Sequence, residues 1–226
     1  MKTKLEICVD SPEDLSRAVE AGVDRIELCS ALDLGGLSPT SELIDQAINS
    51  TVPVYVMVRP RAGNFVYSEL EIQAMEAEMD TLRDAGFPGV VFGATTPDHQ
   101  LDHNVLKRLV KAAEGMQMTL HRAVDILESP RSAVQIAIDL GFERILTSGG
   151  APKAVQGVDE IGKMIEISGE SIEIMAGSGV DADCVKTLFA AGVRSFHASC
   201  RRKQSNGQKE LSVVALHELQ GALASE

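Results

Sequence analysis

The sequence predicts an α/β fold, a closed parallel (β/α)8 barrel of the TIM-barrel class, on three observations. Eight short β-branched runs alternate with eight segments of helical period along the 226 residues. Four of the helical segments end on one signature: Ala21-Gly22-Val23, Ala85-Gly86-Phe87, Leu140-Gly141-Phe142 and Ala191-Gly192-Val193. Each glycine can take the left-handed conformation that stops a helix, and a strand-like run follows within a few residues. Strand–helix units in series demand right-handed crossovers and a parallel sheet, and eight is the number that closes a barrel. An open doubly wound sheet would favour a glycine fingerprint after the first strand, where Val9-Asp10-Ser11-Pro12 stands instead. No linker or composition shift divides the chain, so residues 1–226 read as one barrel domain.

The predicted strands are 4–9, 25–29, 54–58, 89–92, 117–121, 144–147, 172–175 and 195–198. The helical segments are expected to start near Pro12, Pro39, Ser68, Asp102, Ser129, Pro152, Asp181 and Glu210. Ser11-Pro12, Ser38-Pro39 and Ser129-Pro130 each set a capping hydroxyl before a proline suited to the first helical position. Ser68 with Glu71 reads as a capping box. Segment 201–209, the longest polar stretch, reads as a loop.

Chemistry in a barrel sits where strands end and βα loops begin. Residues two apart share a face of a strand. In the first two strands Leu5, Ile7, Ile26 and Leu28 take the helix side, so Glu6, Cys8, Glu27 and Cys29 face the interior. Val54, Val56 and Val58 likewise leave Tyr55, Met57, Arg59 and Arg61 inside or on the rim. Thr119 and His121 face in from the fifth strand, with Arg122 and Asp125 at its loop; Ser195, His197 and Ser199 face in from the eighth. Buried charges cost several kcal/mol unless paired, so the convergence of Glu6, Glu27, Arg59, His121, Asp125 and His197 marks either a structural ion-pair plug or a catalytic site. Ser148-Gly149-Gly150 and Gly177-Ser178-Gly179 end the sixth and seventh strands. Such loops can hold a phosphate or carboxylate on backbone N–H groups at a helix start, with Arg61, Arg122 and Ser199 as further substrate contacts.

The formal net charge of −12 argues against a nucleic-acid binder and against a polybasic membrane-surface protein. Aromatics are 4% and tryptophan is absent, which disfavours a base-stacking platform. No apolar run approaches the ~20 residues that span a bilayer, and no signal-peptide core follows Lys2, Lys4 and Glu6. Four cysteines are too few for a disulfide scaffold, so a cytoplasmic protein with free thiols is expected. Cys184 reads as a packed helix residue. Cys8 and Cys29 lie on adjacent strands ~4.8 Å apart, where they are either ordinary buried thiols or two thiolates sharing a soft ion such as Cu(I). No CxxC, HExxH or zinc-spaced Cys/His cluster is present.

The segments LEICVDS (5–11), RIELCSALDLGGLSP (25–39), RPRAGNFVYS (59–68), TLHRAVD (119–125), RILTSGG (144–150) and IMAGSGV (174–180) fall at strand ends across nearly the whole chain. Together they resemble the CutC family, whose members are called copper homeostasis proteins. The resemblance implies a TIM barrel, a cytoplasmic homo-oligomer (dimer or tetramer), and Cu(I) bound through the cysteines at positions 8 and 29. Ala62 and Asn64 stand where the family pattern has a glycine and an aspartate, and Val124 where it has phenylalanine. Two functions follow as expectations. The first is copper binding. The second is an isomerase or lyase acting on a small phosphorylated or carboxylated substrate, with Glu6 or Glu27 as base and His121 as acid.

Overall fold

The computed structural model describes residues 3–205 and 207–226. Eight parallel strands close into a barrel in sequence order: β1 (Lys4–Val9), β2 (Arg25–Leu28), β3 (Val54–Met57), β4 (Gly89–Phe92), β5 (Gln117–Leu120), β6 (Arg144–Thr147), β7 (Glu173–Ala176) and β8 (Ser195–Ala198), with β8 pairing back onto β1. Around them run α1 (Pro12–Glu20), α2 (Ser41–Ala47), α3 (Glu69–Asp84), α4 (His103–Ala112), α5 (Ala133–Asp139), α6 (Val158–Ser168), α7 (Val185–Ala190) and α8 (Val213–Ala224). No helix among the described residues is long and apolar enough to cross a membrane.

The alternation of each strand builds two cores. Leu5, Ile7, Ile26, Leu28, Val54, Val56, Leu120 and Phe196 lie in the large layer between sheet and helices. Cys29, Tyr55, Met57 and Val91 form a small cluster inside the barrel. The Tyr55 ring fits there because Gly89 on the neighbouring strand has no side chain: a Cβ would come within 2.2 Å of the ring. All four stop glycines, Gly22, Gly86, Gly141 and Gly192, have positive φ.

Helix starts follow the capping chemistry where a side-chain oxygen meets the free N–H groups. Ser11 accepts from the Asp14 N–H, Asp102 from Asn104 and Val105, and Ser68 with Glu71 makes the full capping box. Such caps are worth about 1 kcal/mol each. Five starts differ from expectation. Thr40, not Ser38, caps α2. Ser38 is instead drawn to β3, where its hydroxyl accepts the Arg59 N–H at 3.0 Å and donates to Glu78 at 2.8 Å. α6 begins at Val158 rather than Pro152, α7 at Val185 rather than Asp181, and α8 at Val213 with Ser212 as its cap. Ser129 leads only a short 3-10 turn before α5. In each case the segment before the helix, a turn or (before α8) strand β10, takes residues that the periodicity assigns to the helix.

Segment 201–209 contains more than a loop. Strands β9 (Arg201–Lys203) and β10 (Lys209–Leu211) pair antiparallel at the mouth. The hairpin is tied down by Lys209 to Asp33 at 2.7 Å and by the Leu211 N–H to Asp14 at 3.1 Å.

Candidate functional site

A cavity of about 780 Å³ opens at the C-terminal ends of the barrel strands. Two of its walls carry a buried histidine each, and they are built from different residues.

The first wall comprises β8, β1 and β2. Parallel register sets Glu6 beside His197 and Cys8 beside Glu27. His197 Nδ1 lies 2.8 Å from Glu6 Oε1, and its Nε2 lies 3.6 Å from Glu27 Oε2. The Glu6 carboxylate also takes the Arg25 guanidinium, which reaches on to Glu173 at 3.0 Å. Burial would raise the Glu6 pKa, but Arg25 and His197 outweigh it and hold the pKa at about 2. Burial would equally strip the proton from His197, yet Glu27, Cys8 and Glu6 raise its pKa well above the usual imidazole value. Burial raises Glu27, with the neighbouring Glu6 charge adding to it. Both thiols are raised, chiefly by burial, and Cys29 further by Glu27. The Cys8 thiol faces the Ala198 carbonyl at 3.6 Å and the Cys29 thiol faces Glu27 Oε2 at 3.4 Å. Donor atoms of Cys8, Glu27 and His197 all lie within 4.8 Å of one another, and all three residues are buried. Glu27 Oε1 has no hydrogen-bond partner among the described residues.

The second wall comprises β3 and β5. His121 follows β5 and packs its ring on Phe65 with centroids 4.8 Å apart; the Arg59 guanidinium lies 4.8 Å from the same Phe65 ring. The His121 ring occupies space left by Gly93, where a Cβ would approach it to 2.7 Å. His121 Nδ1 accepts the Ala123 N–H at 3.2 Å. Burial, reinforced by the Arg59 charge, lowers its pKa to about 3, so this imidazole is neutral. Arg59 donates to the carbonyls of Leu34, Gly35, Gly36 and Gly63.

The wall chemistry and the fold meet in the comparison with known proteins: residues 3–202 match the model of the CutC family. The chain belongs to the CutC family. It is 47% identical over 200 residues to the family protein CutC of Rhizobium meliloti (strain 1021), covering 88% of this chain and 82% of that one. It is 46% identical over 196 residues to the family protein CutC of Caulobacter vibrioides (strain NA1000 / CB15N), covering 86% and 80%. The solved structure of a CutC from Streptococcus agalactiae, which takes its name from copper homeostasis, superposes with a TM-score of 0.82 at 30% identity, covering 87% of this chain and 98% of that one. A thiamine phosphate pyrophosphorylase from Pyrococcus furiosus, at TM-score 0.64 and 16% identity, shares the barrel fold alone.

Of the residues that the sequence singles out, Cys8, Glu27, Arg59, His121, Arg122, Asp125, Ser178, Gly179, His197 and Ser199 line the cavity. Glu6 does not; fully buried, it braces His197 from beneath. Cys29 lies off the cavity lining, hung on Glu27 rather than level with Cys8. Arg61 is turned away, held by Glu71 at 2.5 Å and by Asn64, Ala62 and Val66. The Asn64 amide oxygen accepts from Arg61 and from the Val66 N–H, so the two departures from the family pattern sit in a loop that closes on itself. Asp125 staples the β5 and β6 loops together through Thr147, Ser148 and Gly150. That contact keeps Ser148 buried, and Gly149 packs on Gly157. Gly177 backs the His197 ring. The expected helix start behind Gly179 is missing, since α7 begins only at Val185 with Cys184 at its cap position. That leaves Gly177, Ser178 and Gly179 without the dipole a phosphate would use.

The sequence reading passed over Arg25, Arg144 and Glu173, all inside the barrel. Arg25 stands two residues before Glu27, so the parity that found the glutamates pointed to it as well. Arg201 and Lys209 also line the mouth and were hidden in the segment read as a loop.

Proposed function

We propose that this member of the CutC family binds Cu(I) on the β8–β1–β2 wall, through Cys8 Sγ and His197 Nε2, with Glu27 beside them and Cys29 just past the end of β2. The observation that carries the reading is the buried cluster of Cys8, Glu27 and His197 donor atoms within 4.8 Å of one another. Thiolate and imidazole are the donors a soft cation selects. Glu6 holds Nδ1 at 2.8 Å and leaves Nε2 as the coordinating nitrogen, which is the carboxylate–histidine arrangement common behind metal ligands. The unpartnered Glu27 Oε1 is a buried acceptor that a cation would satisfy. Cys8 and His197 hold protons that the ion must displace, so affinity rises with pH. Four free cysteines support a reducing, cytoplasmic setting. The family resemblance supports a homo-oligomer of a single barrel domain.

The test is an anaerobic Cu(I) titration against a chromophoric chelator. Wild type is expected to take one ion per chain. Cys8→Ser and His197→Gln are each expected to weaken it about tenfold or more, while Cys184→Ser leaves it unchanged. Unchanged affinity in Cys8→Ser sinks the reading.

A further inference from the structure

We propose that the β3–β5 wall is a second, metal-independent subsite that binds a small monocarboxylate, its oxygens held by His121 Nε2–H and by the charge of Arg59. His121 Nδ1 accepts the Ala123 N–H, so the ring proton resides on Nε2. That Nε2 is buried and has no hydrogen-bond partner among the described residues, and His121 lines the cavity. Arg59 lines the same cavity, is 5% exposed, and its Nε is also without a partner among the described residues. Two buried donors without an acceptor each carry an uncompensated desolvation cost, which an oxygen ligand removes. Phe65 lies between them, 4.8 Å from the His121 ring and 4.8 Å from the guanidinium carbon, and holds both donors to one wall.

The charge count selects the ligand. Around the mouth Arg122 is paired with Asp125 at 2.8 Å, Lys209 with Asp33 at 2.7 Å, and Arg201 with Asp10 at 3.5 Å. Arg59 alone of these four has no carboxylate partner among the described residues: backbone carbonyls take its terminal nitrogens, and the neutral Tyr67 hydroxyl is its side-chain neighbour. One uncompensated cation beside one neutral imidazole matches a single negative charge. A phosphate dianion would bring a second charge into a cavity that Asp33, Asp125 and Glu27 already line. The planar donors and the flat Phe65 face also suit a planar carboxylate. Glu27 on the facing wall belongs to the copper cluster and takes no part, so small monocarboxylates, with pyruvate and lactate as the probes, are the class expected.

The site shares no donor with the proposed copper ligands, and its test is independent of copper. Protein labelled with 15N at histidine is titrated with sodium pyruvate, with sodium lactate and with inorganic phosphate, at constant ionic strength and without metal. A saturable shift of the His121 Nε2 resonance by pyruvate or lactate, in the millimolar range and absent with phosphate, is expected. His121→Phe, which keeps the ring on Phe65, should weaken binding about tenfold, and His121→Gln, which restores a donor, should recover part of it. If His121→Phe does not fold, the wild-type shift decides alone. A response to phosphate only, shifts confined to other histidines, or no shift at all overturns the proposal.

Discussion

His121 and His197 are the same residue type, both buried, both at the C-terminal end of the barrel, both looking into one cavity. They differ in charge: His197 is protonated and His121 is neutral. On the β8–β1–β2 wall two carboxylates face the His197 ring, and their attraction exceeds the penalty of burying a cation. On the β3–β5 wall the neighbour is Arg59, and burial and repulsion act in the same direction, leaving His121 neutral. The lesson is that burial alone does not set the protonation of a histidine; the sign of the nearest charge decides whether desolvation is opposed or reinforced. One wall thus holds protons that a cation can displace. The other holds fixed donors that an anion can satisfy.

The largest expected effect comes from removing the charge that distinguishes the walls. Glu6→Gln leaves Arg25 with Glu173 alone and His197 without its closest carboxylate. Breaking one partner of a buried ion pair costs about 3–5 kcal/mol, so urea unfolding at pH 7 should show a loss of that order. Glu6 has a depressed folded pKa, so its contribution is present above the ordinary carboxylate value of 4.5 and is lost as pH falls toward about 2. The difference between wild type and Glu6→Gln should therefore shrink over that window. A loss under about 1 kcal/mol at pH 7 would mean that the ion pair does not hold the wall.

Histidine 15N spectra across pH measure the comparison directly. His121 is expected to stay neutral down to about pH 3, while His197 stays charged through neutral pH. His197 has a raised folded pKa, so the stability it contributes is complete below about pH 6.5 and declines as pH rises toward that raised value. Removing the Arg59 charge with Arg59→Met should move His121 upward toward the ordinary imidazole value. Titration of both histidines near that value in the wild type would erase the distinction.

The smallest effect lies behind the neutral wall. Burial lifts the Glu78 carboxyl to about 7, and its side-chain partner Ser38 also receives the Arg59 N–H. A raised folded pKa makes the ionised form costly, so stability falls as pH rises from 4.5 toward 7. Glu78→Gln should be more stable than wild type at pH 8 by roughly 1–2 kcal/mol, after allowance for partial exposure, and equal to it at pH 4. Thermal melts at the two pH values check this; equal Tm differences at both would place the carboxyl in water.

Local chemistry explains what was legible in the chain. Period-2 alternation determined which residues of β1, β2, β3, β5 and β8 enter the barrel, because a strand has no other way to place them. The four helix-stop glycines and the Ser11 and Ser68 caps were readable because their geometry depends on residues within one turn. Family membership was equally visible, carried by strand-end motifs along the chain. What only the tertiary structure decided is how far along each strand a side chain sits relative to its neighbours. Register puts Cys8 beside Glu27 rather than Cys29, and Glu6 beneath His197 rather than in the cavity. It turns Arg61 outward and Arg59 onto loop carbonyls, and it draws Ser38 from a helix start to β3. Barrel stagger is a property of eight strands closing together, so no single strand encodes it. The protonation of the two histidines follows from that stagger, since it alone determines which charges stand beside each ring.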